Sequence, residues 1–268
     1  MDSDLQQIVT LCSTVDAKLT AAASQIADLG AKLAAVPPSA APGPILLLDQ
    51  LQTLAGTTES TGWIQPGNAG NTGGASTKPH GTCTFTPGDP AIFAIKPAGP
   101  YDNYYWYTKR KDSQYDPARR FLLDLAIQFP SASDIVASQG VEFEIQHSVG
   151  GWIWDMAWQI EHPGSHGSLR TFDKVRRQWI DTGAVLLPAT WSPGKFVRIT
   201  ASFLCLAQSL TYQSLLINGK EYLPAPVQAP AWQAAQGNYL SVGYQMDTNG
   251  SGVGYWTKVT GMRVTIAT

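Results

Sequence analysis

Cysteine is scarce in this sequence: Cys12, Cys83 and Cys205 are its only three among 268 residues. Three thiols make no disulfide framework, and no Cys-x-x-Cys pair offers a metal clamp. Charge is scarce as well. Charged residues make up 14% of the chain and the formal net charge is -2. No basic field exists to hold a phosphate backbone, which excludes nucleic acid as an expected partner. No apolar run is long enough to span a membrane; Ile45–Leu48 is far too short. The start, Met-Asp-Ser-Asp-Leu, lacks the basic and apolar regions of a secretory signal. Histidine is sparse too: His80, His147, His162 and His166 show no metal-ligand spacing.

A heptad occupies the N-terminal part. Leu5, Cys12, Leu19, Ile26 and Leu33 fall at a, and Ile8, Val15, Ala22, Leu29 and Val36 at d. A 3-4 spacing that never slips over this length predicts a coiled coil. Few charges flank the seam, with Asp4, Lys18 and Lys32 at g and Asp16 at e. Leu and Ile at a with mixed residues at d lean away from a strict dimer, so residues 1–36 are expected to self-associate as a parallel trimer. Pro37-Pro-Ser-Ala-Ala-Pro-Gly-Pro44 ends the helix and reads as a semi-stiff extended linker. The third part is residues 45–268. Ile45–Leu51 fits a short helix or a strand, and Gly67–Gly74 reads as loop.

After Thr82 the pattern turns to β. Strands are expected at Cys83–Phe85, Ala91–Ile95, Tyr104–Thr108, Phe121–Phe129, Val141–Val149 and Trp154–Glu161. Further on they are expected at Arg177–Asp181, Phe196–Ala207, Ser214–Ile217, Tyr239–Met246 and Gly261–Ile266. Asn218-Gly219 marks a hairpin turn. Ala231–Gln236 fits one turn of helix. Gly 25, Pro 18, Trp 9 and Tyr 10 suit a turn-rich, mainly β domain. Many strands with almost no helices point to one sandwich.

Within that domain, Val141-Glu-Phe-Glu-Ile-Gln146 alternates strictly. Val141, Phe143 and Ile145 take one face; Glu142, Glu144 and Gln146 take the other, about 7 Å apart. If neighbouring strands keep the alternation, Asp155, Gln159 and Gln245 join the polar row. Planar amides and carboxylates bond paired hydroxyls, and aromatic faces stack on sugar rings. Trp106, Tyr104, Trp152 and Trp154 are the candidate platforms. A half-exposed strand with solvated glutamates fits the same residues, as does core packing for each aromatic.

Phe121-Leu-Leu-Asp-Leu-Ala-Ile-Gln-Phe-Pro130, Val141–His147, the strand ending Trp158-Gln159, Trp179-Ile-Asp-Thr-Gly183, Tyr212–Lys220 and Tyr239–Asp247 follow in an order that resembles the concanavalin A-like, laminin-G-type jelly rolls. The resemblance covers about residues 83–268. It implies a jelly-roll β-sandwich behind the N-terminal coiled-coil helix, and an extracellular or cell-surface setting. Laminarinase-type glucanases of this superfamily carry Glu-x-Asp-x-Glu on one strand, with nucleophile first and acid/base last. Here Glu142 matches the nucleophile, Glu144 replaces the Asp, and Gln146 stands where the acid/base would be. Retaining hydrolysis needs two carboxyls about 5–5.5 Å apart that exchange a proton. An amide cannot take that part, so no catalytic residue is assigned. Jelly-roll modules often hold calcium, and Asp247-Thr-Asn-Gly-Ser-Gly252 offers Asp247, Asn249 and Ser251 as oxygen ligands. An EF-hand is excluded because its twelfth position is Lys258, and a Gly-rich turn fits the same residues.

The expectation is therefore an oligomeric glycan- or polysaccharide-binding protein without an obligatory cofactor. A structural or adhesive fibre subunit, and a divergent lyase or glycosidase using Tyr, His or Arg, remain as alternatives.

Overall fold

The structure is a computed structural model. It describes residues 11–16, 18–20, 45–65, 81–161, 167–173, 175–176, 178–186, 190–223, 225–234 and 237–268. The chain divides into two units, Met1–Gly43 and Pro44–Thr268. In the first, residues 11–16 and 18–20 are helical, with Leu11, Val15 and Leu19 exposed. The rest of the heptad, the trimer it predicts, the proline linker, the Gly67–Gly74 loop and His80, His162 and His166 lie outside the described residues. Among the described residues no helix is long and apolar enough to cross a membrane.

The second unit is mainly β. Its strands in chain order are β1 (Leu46–Leu48), β2 (Thr82–Thr86), β3 (Ala91–Lys96), β4 (Asn103–Arg110), β5 (Arg120–Gln128), β6 (Ser138–Val149), β7 (Trp152–Glu161) and β8 (Ser168–Asp173). They continue as β9 (Gln178–Val185), β10 (Phe196–Cys205), β11 (Ser209–Ile217), β12 (Lys220–Glu221), β13 (Val227–Pro230), β14 (Trp232–Gln233), β15 (Tyr239–Thr248) and β16 (Tyr255–Ala267). A nine-stranded sheet runs β12-β11-β10-β5-β16-β3-β2, with β1 on β16 and β13 on β11. A seven-stranded sheet runs β4-β15-β6-β7-β8-β9, with β14 on β7. Every paired strand named here is antiparallel.

The two-residue period puts one face of each sheet into a shared core. From the seven-stranded sheet come Val141, Phe143, Ile145, Met156, Trp158, Ile160, Val242, Tyr244 and Met246; from the other come Phe93, Leu123, Leu125, Ile127, Ile199, Phe203, Tyr212 and Val264. Aromatic pairs span the gap: Phe93 to Tyr244 at 4.7 Å and Trp158 to Tyr212 at 5.3 Å between ring centroids. The Tyr212 hydroxyl accepts from the Ala157 N–H (3.1 Å) and donates to the Phe172 carbonyl (3.2 Å), bonding β11 to β7 and β8.

Local chemistry explains several boundaries. Asn218 and Gly219 both take positive φ, 52° and 79°, which turns β11 onto β12 as the Asn-Gly dipeptide predicts. The short helix Ala132–Ala137 carries a capping box between Ser131 and Asp134. Where one turn of helix was expected at Ala231–Gln236, Trp232 and Gln233 instead pair with Ile153 and Trp152 of β7. An open edge offers backbone partners that a single isolated turn lacks. Ile45–Leu51 resolves into β1 followed by a 3-10 turn at Leu51–Thr53. Cys83 and Cys205 are both free thiols.

Candidate functional site

The outward face of the seven-stranded sheet carries the polar side chains. Register aligns them in rows that cross the strands at about 4.8 Å per step. One row reads Tyr105, Gln245, Glu142, Gln159, Arg170, Asp181. The next reads Tyr107, Gly243, Glu144 and Ala157; there the Tyr212 hydroxyl comes between the Ala157 N–H and the Phe172 carbonyl, and Phe172 pairs with Trp179. Beyond it lie Lys109, Ser241, Gln146 and Asp155. On the opposite side lie Asn103, Asp247, Gly140 and Glu161.

The middle row has small residues on both sides of Glu144. Gly243 is required there: a Cβ would come within 2.5 Å of the Tyr105 phenol oxygen and 2.6 Å of Glu144 Cγ. Tyr105 therefore folds over Gly243 and donates its hydroxyl to Glu144. Tyr105 and Tyr107 stand side by side, 5.9 Å apart and 20° from parallel. Phe172 and Trp179 meet at 5.0 Å on the far flank. The result is a shallow floor at Gly243 and Ala157, with a half-buried carboxylate between aromatic walls.

Gln146 accepts from the Tyr239 hydroxyl at 2.5 Å and donates to Asp155 at 3.3 Å. The Lys109 ammonium sits 3.8 Å over the Tyr239 ring. Gln159 donates to Glu142 at 2.8 Å and to Asp247 at 3.3 Å. Arg170 holds Glu161 at 2.8 Å and donates to the Gln159 side-chain Oε1 at 3.4 Å. Glu142 and Asp247 share a hydrogen bond. Burial, reinforced by the neighbouring Asp247 charge, pushes the Glu142 carboxyl well above the usual range. Burial likewise raises Asp247. One proton between them is the arrangement that relieves two like charges.

Of the expected site residues, Glu142, Glu144, Gln146, Asp155, Gln159 and Gln245 share this face. Trp106 and Trp154 do not. Trp106 lies opposite Tyr244, so the pleat sends it inward against Phe93 at 5.2 Å. Trp154 is also buried, its indole N–H donating to the carbonyls of Leu206 and Ser209. The calcium ligands expected at Asp247, Asn249 and Ser251 address different partners. Asp247 accepts from Gln245 and Gln159, whereas the Asn249 side chain accepts from the Ser251 backbone and hydroxyl, closing its own turn. Among the described residues no group of three or more His, Cys, Asp or Glu could hold a metal ion.

No family model matches the chain, and no curated protein matches it. Among solved structures it is similar to peanut lectin with a 9mer peptide: TM-score 0.47, 9% identity, covering 84% of this chain and 98% of that one. It is also similar to an endo-1,3-beta-glucanase from Streptomyces sioyaensis, at TM-score 0.42 and 13% identity, covering 86% and 98%. A third is the CBM2 module of the evolved Dit of Lactobacillus casei BL23 phage J-1, at TM-score 0.43 and 10% identity, covering 83% and 94%.

Sequence reasoning missed Tyr105, Tyr107, Tyr239, Phe172, Trp179 and Arg170 as parts of this face. A signal for two of them was present. Tyr104-Tyr-Trp-Tyr107 alternates, and once Trp106 goes inward, Tyr105 and Tyr107 must point out.

Proposed function

We propose that this face is a carbohydrate-binding groove on a concanavalin A-like jelly roll, displayed in several copies through residues 1–36. The observation that carries the reading is Glu144 on a floor of Gly243 and Ala157, with Tyr105 and Tyr107 on β4 toward one edge of the sheet and the Phe172–Trp179 pair on β8 and β9 toward the other. Glu144, Gln146 and Asp155 supply acceptors and an amide donor for hydroxyl pairs, and the rings supply apolar faces. Hydrolysis is disfavoured. The Glu142 carboxyl touches Asp247 instead of standing about 5–5.5 Å from a second acid across a bond to be cut.

A glycan array on the intact protein, followed by calorimetry with the best hit, tests the groove. Glu144→Ala combined with Gln146→Ala should weaken that binding by about tenfold or more, since each change deletes a hydrogen-bonding group. An empty array, or a hit unaffected by the double substitution, would transfer the reading to a structural or adhesive subunit.

Display in several copies has its own test. A shallow groove binds one glycan weakly, but linked copies make later contacts intramolecular and raise avidity by roughly 10²–10⁴. The full chain should therefore hold a dense glycan surface far longer than residues 45–268 alone. Both should bind a soluble monovalent glycan equally. Surface plasmon resonance on the two chains, with light scattering for their mass, decides this; equal residence times would remove the multivalent part.

A further inference from the structure

The groove is rich in acceptors and poor in cations. Six carboxyls face outward among the described residues, Glu142, Glu144, Asp155, Glu161, Asp181 and Asp247, against Lys109 and Arg170. Both cations are already engaged, Lys109 over Tyr239 and Arg170 on Glu161. At the buried end, Glu142 and Asp247 hold each other. From the protein they receive the neutral amide donors Gln159 Nε2 and Gln245 Nε2.

Gln245 supplies a separate observation. It is 2% exposed and its Oε1 has no hydrogen-bond partner. Native interiors rarely leave such an acceptor bare. Its Nε2 is spent on Asp247 at 2.9 Å, and in the sheet register it stands between Tyr105 and Glu142. Gln245 therefore stands in the row of Glu142, one row from Asp247.

We infer that the glycan this groove takes bears free amines, one ammonium seating among Glu142, Asp247 and Gln245 Oε1. An ammonium has three donors and no acceptor, which matches three acceptors that lack a charged donor. It would take the place of the shared proton, leaving both carboxylates ionised and paired. The groups around it agree. Glu144 on β6 and Glu161 on β7 add negative potential, Gln159 on β7 is neutral, Arg170 on β8 is held by Glu161, and Tyr105 on β4 offers a ring beside the seat. Sulfated or carboxylated glycans would meet repulsion along the same face. The inference rests on the groove reading above and narrows it to one class of sugar.

Calorimetry near neutral pH on the full chain distinguishes the two. The probes are glucosamine oligomers, the same oligomers N-acetylated, and glucose oligomers of equal length. The free-amine oligomers should bind about 10–100-fold more tightly than the acetylated ones, as expected of hydrogen bonds to a charged group. Glu142→Gln and Asp247→Asn, each nearly isosteric, should bring that ratio toward one. Their circular dichroism serves as the folding control. Equal binding of all three oligomers, or a preference for the acetylated one, overturns the amine seat while the groove stands. Binding of none overturns the groove, and the seat with it.

Discussion

Trp158→Ala should cost the sandwich about 3–5 kcal/mol of stability, the range for deleting a buried aromatic whose site cannot collapse. Trp158 is fully buried, with its edge against Tyr212. That neighbour is itself fixed: the Tyr212 hydroxyl bonds the β7 and β8 backbone from the opposite sheet. A void there therefore stays a void. Trp158→Phe should lose much less. It keeps a ring in the slot, and it removes an indole N–H that is buried without a partner. Urea unfolding of the three proteins measures this. Equal losses for Ala and Phe would mean that the indole N–H, not volume, matters at this site. Ala157 and Gln159 flank Trp158 on the groove face, so the Ala variant should also weaken ligand binding.

Acid should destabilise the protein through His147, and His147→Leu should remove that sensitivity. The imidazole is 1% exposed, and neither nitrogen has a partner. Phe121 and Trp154 stand 5.3 and 5.8 Å from it, centroid to centroid. Burial, helped by the Arg119 charge, lowers its pKa from 6.5 to about 4. The unfolded chain thus takes up a proton at a pH where the folded chain refuses it. The His147 contribution is unchanged above about pH 6.5, declines as pH drops through the window between the two values, and its loss is complete below about 4. The integrated loss is about 3 kcal/mol, from 1.36 kcal/mol per unit of difference. Glu142 and Asp247 act in the opposite sense. Their folded values are raised, so their contribution is present in acid and fades as pH rises. The test must therefore compare variant with wild type at each pH. Between neutral and mildly acidic pH, the difference in stability from urea unfolding should shift in favour of His147→Leu, by up to the His147 amount. Parallel pH profiles would show that the site admits a proton after all.

The sequence exposed those parts of the fold that depend on near neighbours. Alternation in Val141–Gln146 is a local property, and β6 keeps it: Phe143 and Ile145 are buried in the core, while Glu144 and Gln146 are half-buried on the other face. Asn218-Gly219 is likewise a local signal with a local cause. β8 was not legible, because five of its six residues are buried and no two-residue period survives. Ser131 and Asp134 spelled the cap of a helix too short to have a hydrophobic period. The groove itself depends on register, which joins Tyr105 to Gln245 and Gln245 to Glu142 across three strands distant in sequence. Without that register, Trp106 and Trp154 looked as available as Tyr105 and Tyr107. Only the pairing of Trp106 with Tyr244 sends the tryptophan inward.

The place of β16 governs how the domain can be made. It pairs with β5 on one side and with β3 and then β1 on the other, and it follows all of them in the chain. Met262, at its bulge, donates its N–H to Gln52, 210 residues earlier. A nascent chain on the ribosome therefore carries β1, β3 and β5 with open edges until β16 has emerged. Before then the nine-stranded sheet exists only as separate pieces, each able to pair with a neighbouring chain. A stop codon ahead of Tyr255 would split this sheet through its middle instead of trimming its margin, so such a fragment should emerge as aggregate or protease substrate rather than as a smaller sandwich.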